Sequence, residues 1–108
     1  MLVNPLLVVL AAAAPATYYE AKVSTFACTS IAEAHRLQGL RADVKAFQMA
    51  LIEKQVHGEC FAILKGTVVE GEVESSDAAI LRVNKTLEPP GFEAPLKDFE
   101  LKPAAGGK

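Results

Sequence analysis

The stretch from His57 to Glu74, HGECFAILKGTVVEGEVE, decides how this 108-residue chain is read. Before it, apolar residues recur at helical spacing. From Cys60 onward they recur every second residue. His57 and Gly58 read as a helix end, because an imidazole complements the negative pole of the last turn and glycine takes the left-handed conformation that stops a helix. CFAILK (60–65) predicts a strand and Lys65-Gly66 a turn. TVVEGEVE (67–74) predicts a second strand with Val69, Gly71 and Val73 on one face. Glu70, Glu72 and Glu74 alternate onto the other face and read as solvated rather than as a carboxylate cluster. Gly71 in mid-strand predicts a bulge or the sharp bend of a small barrel.

Upstream, RADVKAFQMALIEKQVHG (41–58) predicts a helix with Asp43 as N-cap. Val44, Phe47 and Leu51 form its core-facing stripe. Met49, Ile52 and Val56 form a second apolar stripe, with two readings: a cover over the neighbouring helix, or a partner-facing patch. Before it, TSIAEAHRLQG carries a capping box, Ser30 with Glu33, and apolar positions Ile31, Ala34 and Leu37. A short helix is expected over 31–38, stopped by Gly39. Tyr18 to Ala27 reads as a strand or extended arm. Downstream, Ser75-Ser76-Asp77 is a hairpin turn and AAILRVNK (78–85) a third strand. EPPG (88–91) breaks the chain before an irregular fourth strand, GFEAPLKDFELK (91–102).

The first sixteen residues, MLVNPLLVVLAAAAPA, carry no charged side chain, and Ala14 and Ala16 satisfy the small-x-small rule for signal cleavage. The apolar run is short of the roughly 20 residues that span a bilayer. No Lys or Arg precedes it, which is atypical. The expectation is a signal peptide over 1–16, a single domain over 17–102 and a flexible tail over 103–108. The alternatives for the leader are a buried N-terminal strand or a retained anchor. Export places the chain in the periplasm or outside the cell. A net charge of −2 with no basic patch argues against nucleic acid.

The second half resembles a bacterial SH3-like (SH3b) domain. LKGTVVEGEVESSDAAILRVN followed by GFEAPLKDFEL matches that family's order of a Lys-Gly-Thr turn, a Val-rich strand, a hairpin, an aliphatic-Arg-Val strand and a Gly-aromatic closing segment. The match covers Leu64 to Leu101, under half of the chain. There is no Trp anywhere in the sequence, and Phe92 stands where the closing unit usually has one. Trp is the residue that stacks on ligands and anchors interfaces, so Gly91, Phe92 and Phe99 read as core closure. The implied fold class is α+β: two N-terminal helices packed on a small antiparallel SH3-like sheet or partial barrel.

Two cysteines in an exported chain imply a disulfide between Cys28 and Cys60, tying the N-terminal arm to the sheet across the helices. A zinc reading would join Cys28, His35, His57 and Cys60, but the first two are too widely spaced for a tight chelating pair. Catalysis by Cys60 with His57 lacks an orienting group, and no cofactor fingerprint is present. The expected function is therefore an exported, non-catalytic binding module that contacts a protein or cell-envelope component, without a stable membrane span. The alternatives are an accessory subunit or homo-oligomer using Met49, Ile52 and Val56, and a metal-handling protein.

Overall fold

The computed structural model of the chain describes residues 16–84 and 91–103. Strand β1 (Tyr18–Ala21) leads through a short bend into β2 (Thr25–Cys28). Helices α1 (Ile31–Leu40) and α2 (Val44–Val56) follow. Then come β3 (Cys60–Ile63), β4 (Val68–Glu74), β5 (Asp77–Val83), β6 (Phe92–Pro95), a 3-10 turn (Leu96–Asp98) and β7 (Phe99–Lys102). The strands form one seven-stranded sheet, ordered β3-β2-β6-β5-β4-β1-β7, and every neighbouring pair is antiparallel.

The arrangement corrects the expected one. The helices are not N-terminal to the sheet. They lie between β2 and β3, and two strands precede them. What reads as one extended arm is two strands with different partners: β1 pairs with β4 and β7, and β2 with β3 and β6. Adjacent strands in sequence need not be adjacent in a sheet, and period-two patterning does not name the partner. The signal peptide expected over 1–16 falls almost wholly outside the described residues, as do residues 104–108 of the tail and most of the EPPG break.

The helix boundaries follow local chemistry. Ser30 Oγ accepts from the Glu33 N–H at 3.1 Å, and Asp43 Oδ1 accepts from the Ala46 N–H at 3.1 Å. Each satisfies an otherwise orphaned amide of a first turn. Gly39 does not stop α1, which runs on to Leu40. α2 ends with His57 as its cap, and Gly58 takes φ +73°.

The sheet has a core on each side. Ala21, Ala27, Leu81, Val83, Ala94 and Phe99 pack together on one face, where Phe92 meets Phe61 edge-on at 4.8 Å. On the other face Phe26, Cys28, Cys60 and Ile80 pack against Ala34 and Leu37 of α1, with Phe47 and Leu51 of α2 closing over them. All four residues of β2 are consequently buried. Gly71 sits where β4 changes partner from β1 to β5. A Cβ there would stand 2.6 Å from the Arg82 carbonyl oxygen, so only glycine permits this close crossing.

Candidate functional site

A groove of about 450 Å³ lies between α1 and the start of β5, with residues of the 3-10 turn in its lining. Its walls are mostly small and apolar: Ala34 from α1, Ala78, Ala79 and Ile80 from β5, and Pro95 with Leu96. His35, Gln38 and Lys97 supply its polar groups. At this wall the pairing of β4 with β5 shifts between Val73 and Glu74. Val73 lies opposite Leu81, yet Glu74 lies opposite Asp77, so Ala78 and Ala79 face no registered residue of β4 or β6. The extra residues push the start of β5 out of the ladder and form one wall. Next to this wall, His35 Nε2 lies 2.7 Å from Asp77 Oδ2. That hydrogen bond from His35, with a second from the Ala79 N–H, holds the Asp77 carboxyl below its ordinary range.

Behind this wall lies a second polar cluster. Glu72, Arg82, Glu93, Cys28 and Cys60 are successive cross-strand partners on β4, β5, β6, β2 and β3. Arg82 Nε donates to Glu74 Oε2 at 2.9 Å and lies 3.8 Å from Glu93 Oε2. The two carboxylate side chains are 8% and 9% exposed, and Glu93 Oε1 has no hydrogen-bond partner among the described residues. Burial, then the neighbouring Glu74 charge, pushes the Glu93 carboxyl up to about 7. The solvated face expected for the strand glutamates holds for Glu70 and Glu72 and fails for Glu74. Glu74 shares the face of Glu72 and Arg82, and its side chain is buried against Arg82.

A third cluster fixes the helices to the sheet. The Asp98 carboxylate accepts from Thr25 Oγ1 at 2.7 Å and from Arg41 Nη1 in a tight ion pair. Arg41 also donates to Gln38 Oε1 at 2.8 Å and to the Ser24 carbonyl at 3.3 Å. Its guanidinium lies over the rings of Phe26 and Phe47, 5.8 Å from each centroid. No local sequence signal marks Arg41, Asp98 or Glu93, because their partners are distant in the chain.

The residues singled out from sequence separate. Cys28 and Cys60 are joined as a disulfide, directly opposite one another on β2 and β3 and almost fully buried. The bond consumes both thiols of the zinc reading and the nucleophile of the catalytic one. Among the described residues no group of three or more His, Cys, Asp or Glu is placed to hold a metal ion. Met49, Ile52 and Val56 do not cover α1. They are 63%, 59% and 77% exposed, on the opposite side of α2 from Phe47 and Leu51. Val44, expected in the core stripe, is exposed as well. Among the described residues no helix is long and apolar enough to cross a membrane. No protein-family model matches the chain, and no curated protein or solved structure matches it either.

Proposed function

We propose that the chain is an exported, non-catalytic binding module that holds an extended segment of a protein or cell-envelope component in the groove between α1 and β5. The groove itself carries this reading. It is concave and mostly apolar, with a few polar groups at its edge, which is the form of a recognition site. The buried Cys28–Cys60 bond supports export, since such bonds persist in oxidising compartments. An SH3-like ancestry is part of the proposal. Leaving out β2, α1, α2 and β3, the remaining strands run in the order β7-β1-β4-β5-β6, last-first-second-third-fourth. A 3-10 turn precedes the last strand. On this reading the helices belong to an insert in the first loop of a five-stranded SH3-like unit, and the groove forms where insert and unit meet.

The test is a titration of ¹⁵N-labelled protein with soluble peptidoglycan fragments and with short acidic, basic and proline-rich peptides. Shifts are expected to concentrate at Ala34, His35, Ala79 and Leu96 for one of these classes, and to vanish in Ala79→Trp, which fills the groove. Shifts confined to another surface, silence from every class, or chemical turnover of a probe would each remove the reading.

The exposure of Met49, Ile52 and Val56 favours a second reading, in which the chain is a subunit of a larger assembly or of a homo-oligomer. α2 is then an interface helix. Sedimentation velocity is expected to show concentration-dependent association, or a complex with a co-purifying partner, that Ile52→Asp abolishes without lowering the melting temperature. A strictly monomeric protein with no partner would dispose of this second role.

A further inference from the structure

We infer that the wall of the groove is controlled by pH through the β4–β5 hairpin, latched in place in mild acid and loosened as the pH rises to neutrality. The inference rests on the groove being the ligand site and adds how that site is regulated.

The geometry begins at Glu74 and Glu93. Two buried carboxyl groups share one guanidinium, and Arg82 already spends its Nε donor on Glu74. One positive charge does not neutralise two buried negative ones, and among the described residues nothing replaces the lost water of Glu93 Oε1. The pair is stable with a proton on Glu93, which lets the carboxyl groups hydrogen-bond instead of repelling. Without that proton, the arrangement is relieved by admitting water, and the easiest way in is the end of the hairpin. Glu74 is the last residue of β4 and lies opposite Asp77, at the register shift. Asp77 is in turn the group that holds His35, a residue of the groove lining, and Ala78 and Ala79 beside it form the wall. Movement of Glu74 toward water therefore displaces the residue that latches the wall.

The surrounding charges fit this assignment. Glu93 is met by Glu74 from β4 and by Arg82 from β5, and the residue opposite it on β2 is the bonded Cys28. Glu72 lies across from Arg82 but is exposed. On α1, Glu33 is engaged by Arg36 at 2.9 Å and by Lys54 of α2 at 3.7 Å. His35 is engaged by Asp77, and Lys97 lines the groove from the 3-10 turn.

The sign follows from the Glu93 carboxyl being raised from 4.5 to about 7. The latched form binds the extra proton. Its advantage is complete below the ordinary carboxyl range, is lost as the pH climbs from there to about 7, and is constant above that. The Asp77 carboxyl is shifted the other way, so its latch weakens only in stronger acid, below its ordinary range.

Backbone amide exchange of the ligand-free full chain at pH 5 and pH 8, corrected for intrinsic base catalysis, tests this control. Opening of amides in residues 73–80 is expected to rise by on the order of tenfold or more at pH 8, relative to amides of the β1–β7 pair. Glu93→Gln, which fixes a neutral hydrogen-bonding group in place, is expected to remove that difference. Glu74→Gln, removing the other half of the pair, should remove it too. His35→Gln should keep the hairpin response while loosening the wall at both pH values. Equal changes in hairpin and reference amides, or an unaltered response in Glu93→Gln, would overturn it. Because no ligand is present, failure here is distinct from failure of the groove titration.

Discussion

Replacing Asp98 with alanine is expected to lower the unfolding free energy by about 3 kcal/mol, at the lower end of what breaking a buried ion pair costs. The Asp98 carboxylate is 8% exposed and accepts from both Thr25 and Arg41. Its loss leaves Thr25 Oγ1 buried without an acceptor and removes the charge that holds Arg41 between Phe26 and Phe47. Arg41 is 25% exposed and regains some water, which moderates the loss. The cluster joins elements far apart in sequence: β2, the α1–α2 junction and the turn before β7. Urea unfolding of the wild type, Asp98→Ala, Arg41→Ala and the double variant measures it. A coupling energy well above that of an exposed pair, about 0–1 kcal/mol, is expected. A value within that range would show that the helices are held by apolar packing alone.

The second large effect is that of the disulfide. Closing a loop of 32 residues is worth about 3.5–4 kcal/mol on the chain-entropy account. A domain of this size has about 5–10 kcal/mol in all. The joint variant Cys28→Ala with Cys60→Ala is expected to lose about 3–4 kcal/mol, measured by denaturant titration against the oxidised wild type. The loss has a direct physical site. Cys28 and Cys60 close the row of cross-strand partners from Glu72 to β3, at the edge of the sheet covered by the helices. Thiol titration of native protein is expected to find no reactive thiol before unfolding. A variant as stable as the wild type would show that β2 and β3 are held by their backbone ladder and core alone.

Much of the local structure is legible in the sequence. The Ser30 and Asp43 caps, the helix end at His57-Gly58, the turn at Lys65-Gly66 and the hairpin at Ser75-Ser76 involve partners within a few residues of each other. Local spacing suffices to read them. Gly39 misleads for the same reason in reverse. A glycine signals a stop, but Arg41 and Leu40 are drawn against β2 and the core, and the helix is carried past it. The disulfide was legible from the expectation of export and the even cysteine count. The groove was not, because its walls come from Ala34, His35 and Gln38, from residues 78–80 and from residues 95–97, which are distant in the chain.

The two glutamates show where the boundary falls. Glu74 and Glu93 alternate with apolar neighbours, a pattern that places them in water on any sheet with one buried face. This sheet has two buried faces, because the β2–α1–α2–β3 segment folds back across the face that alternation assigns to solvent. Sequence alone determined the two helices with their N-caps, the β3–β4–β5 run with its turns, and the cysteine pairing, all of which rest on short-range geometry or on simple counting. Only the tertiary structure decided which strands are neighbours and where the helices lie in their order. It alone also decided which charged side chains lose their water, since each of these depends on contacts between residues tens of positions apart.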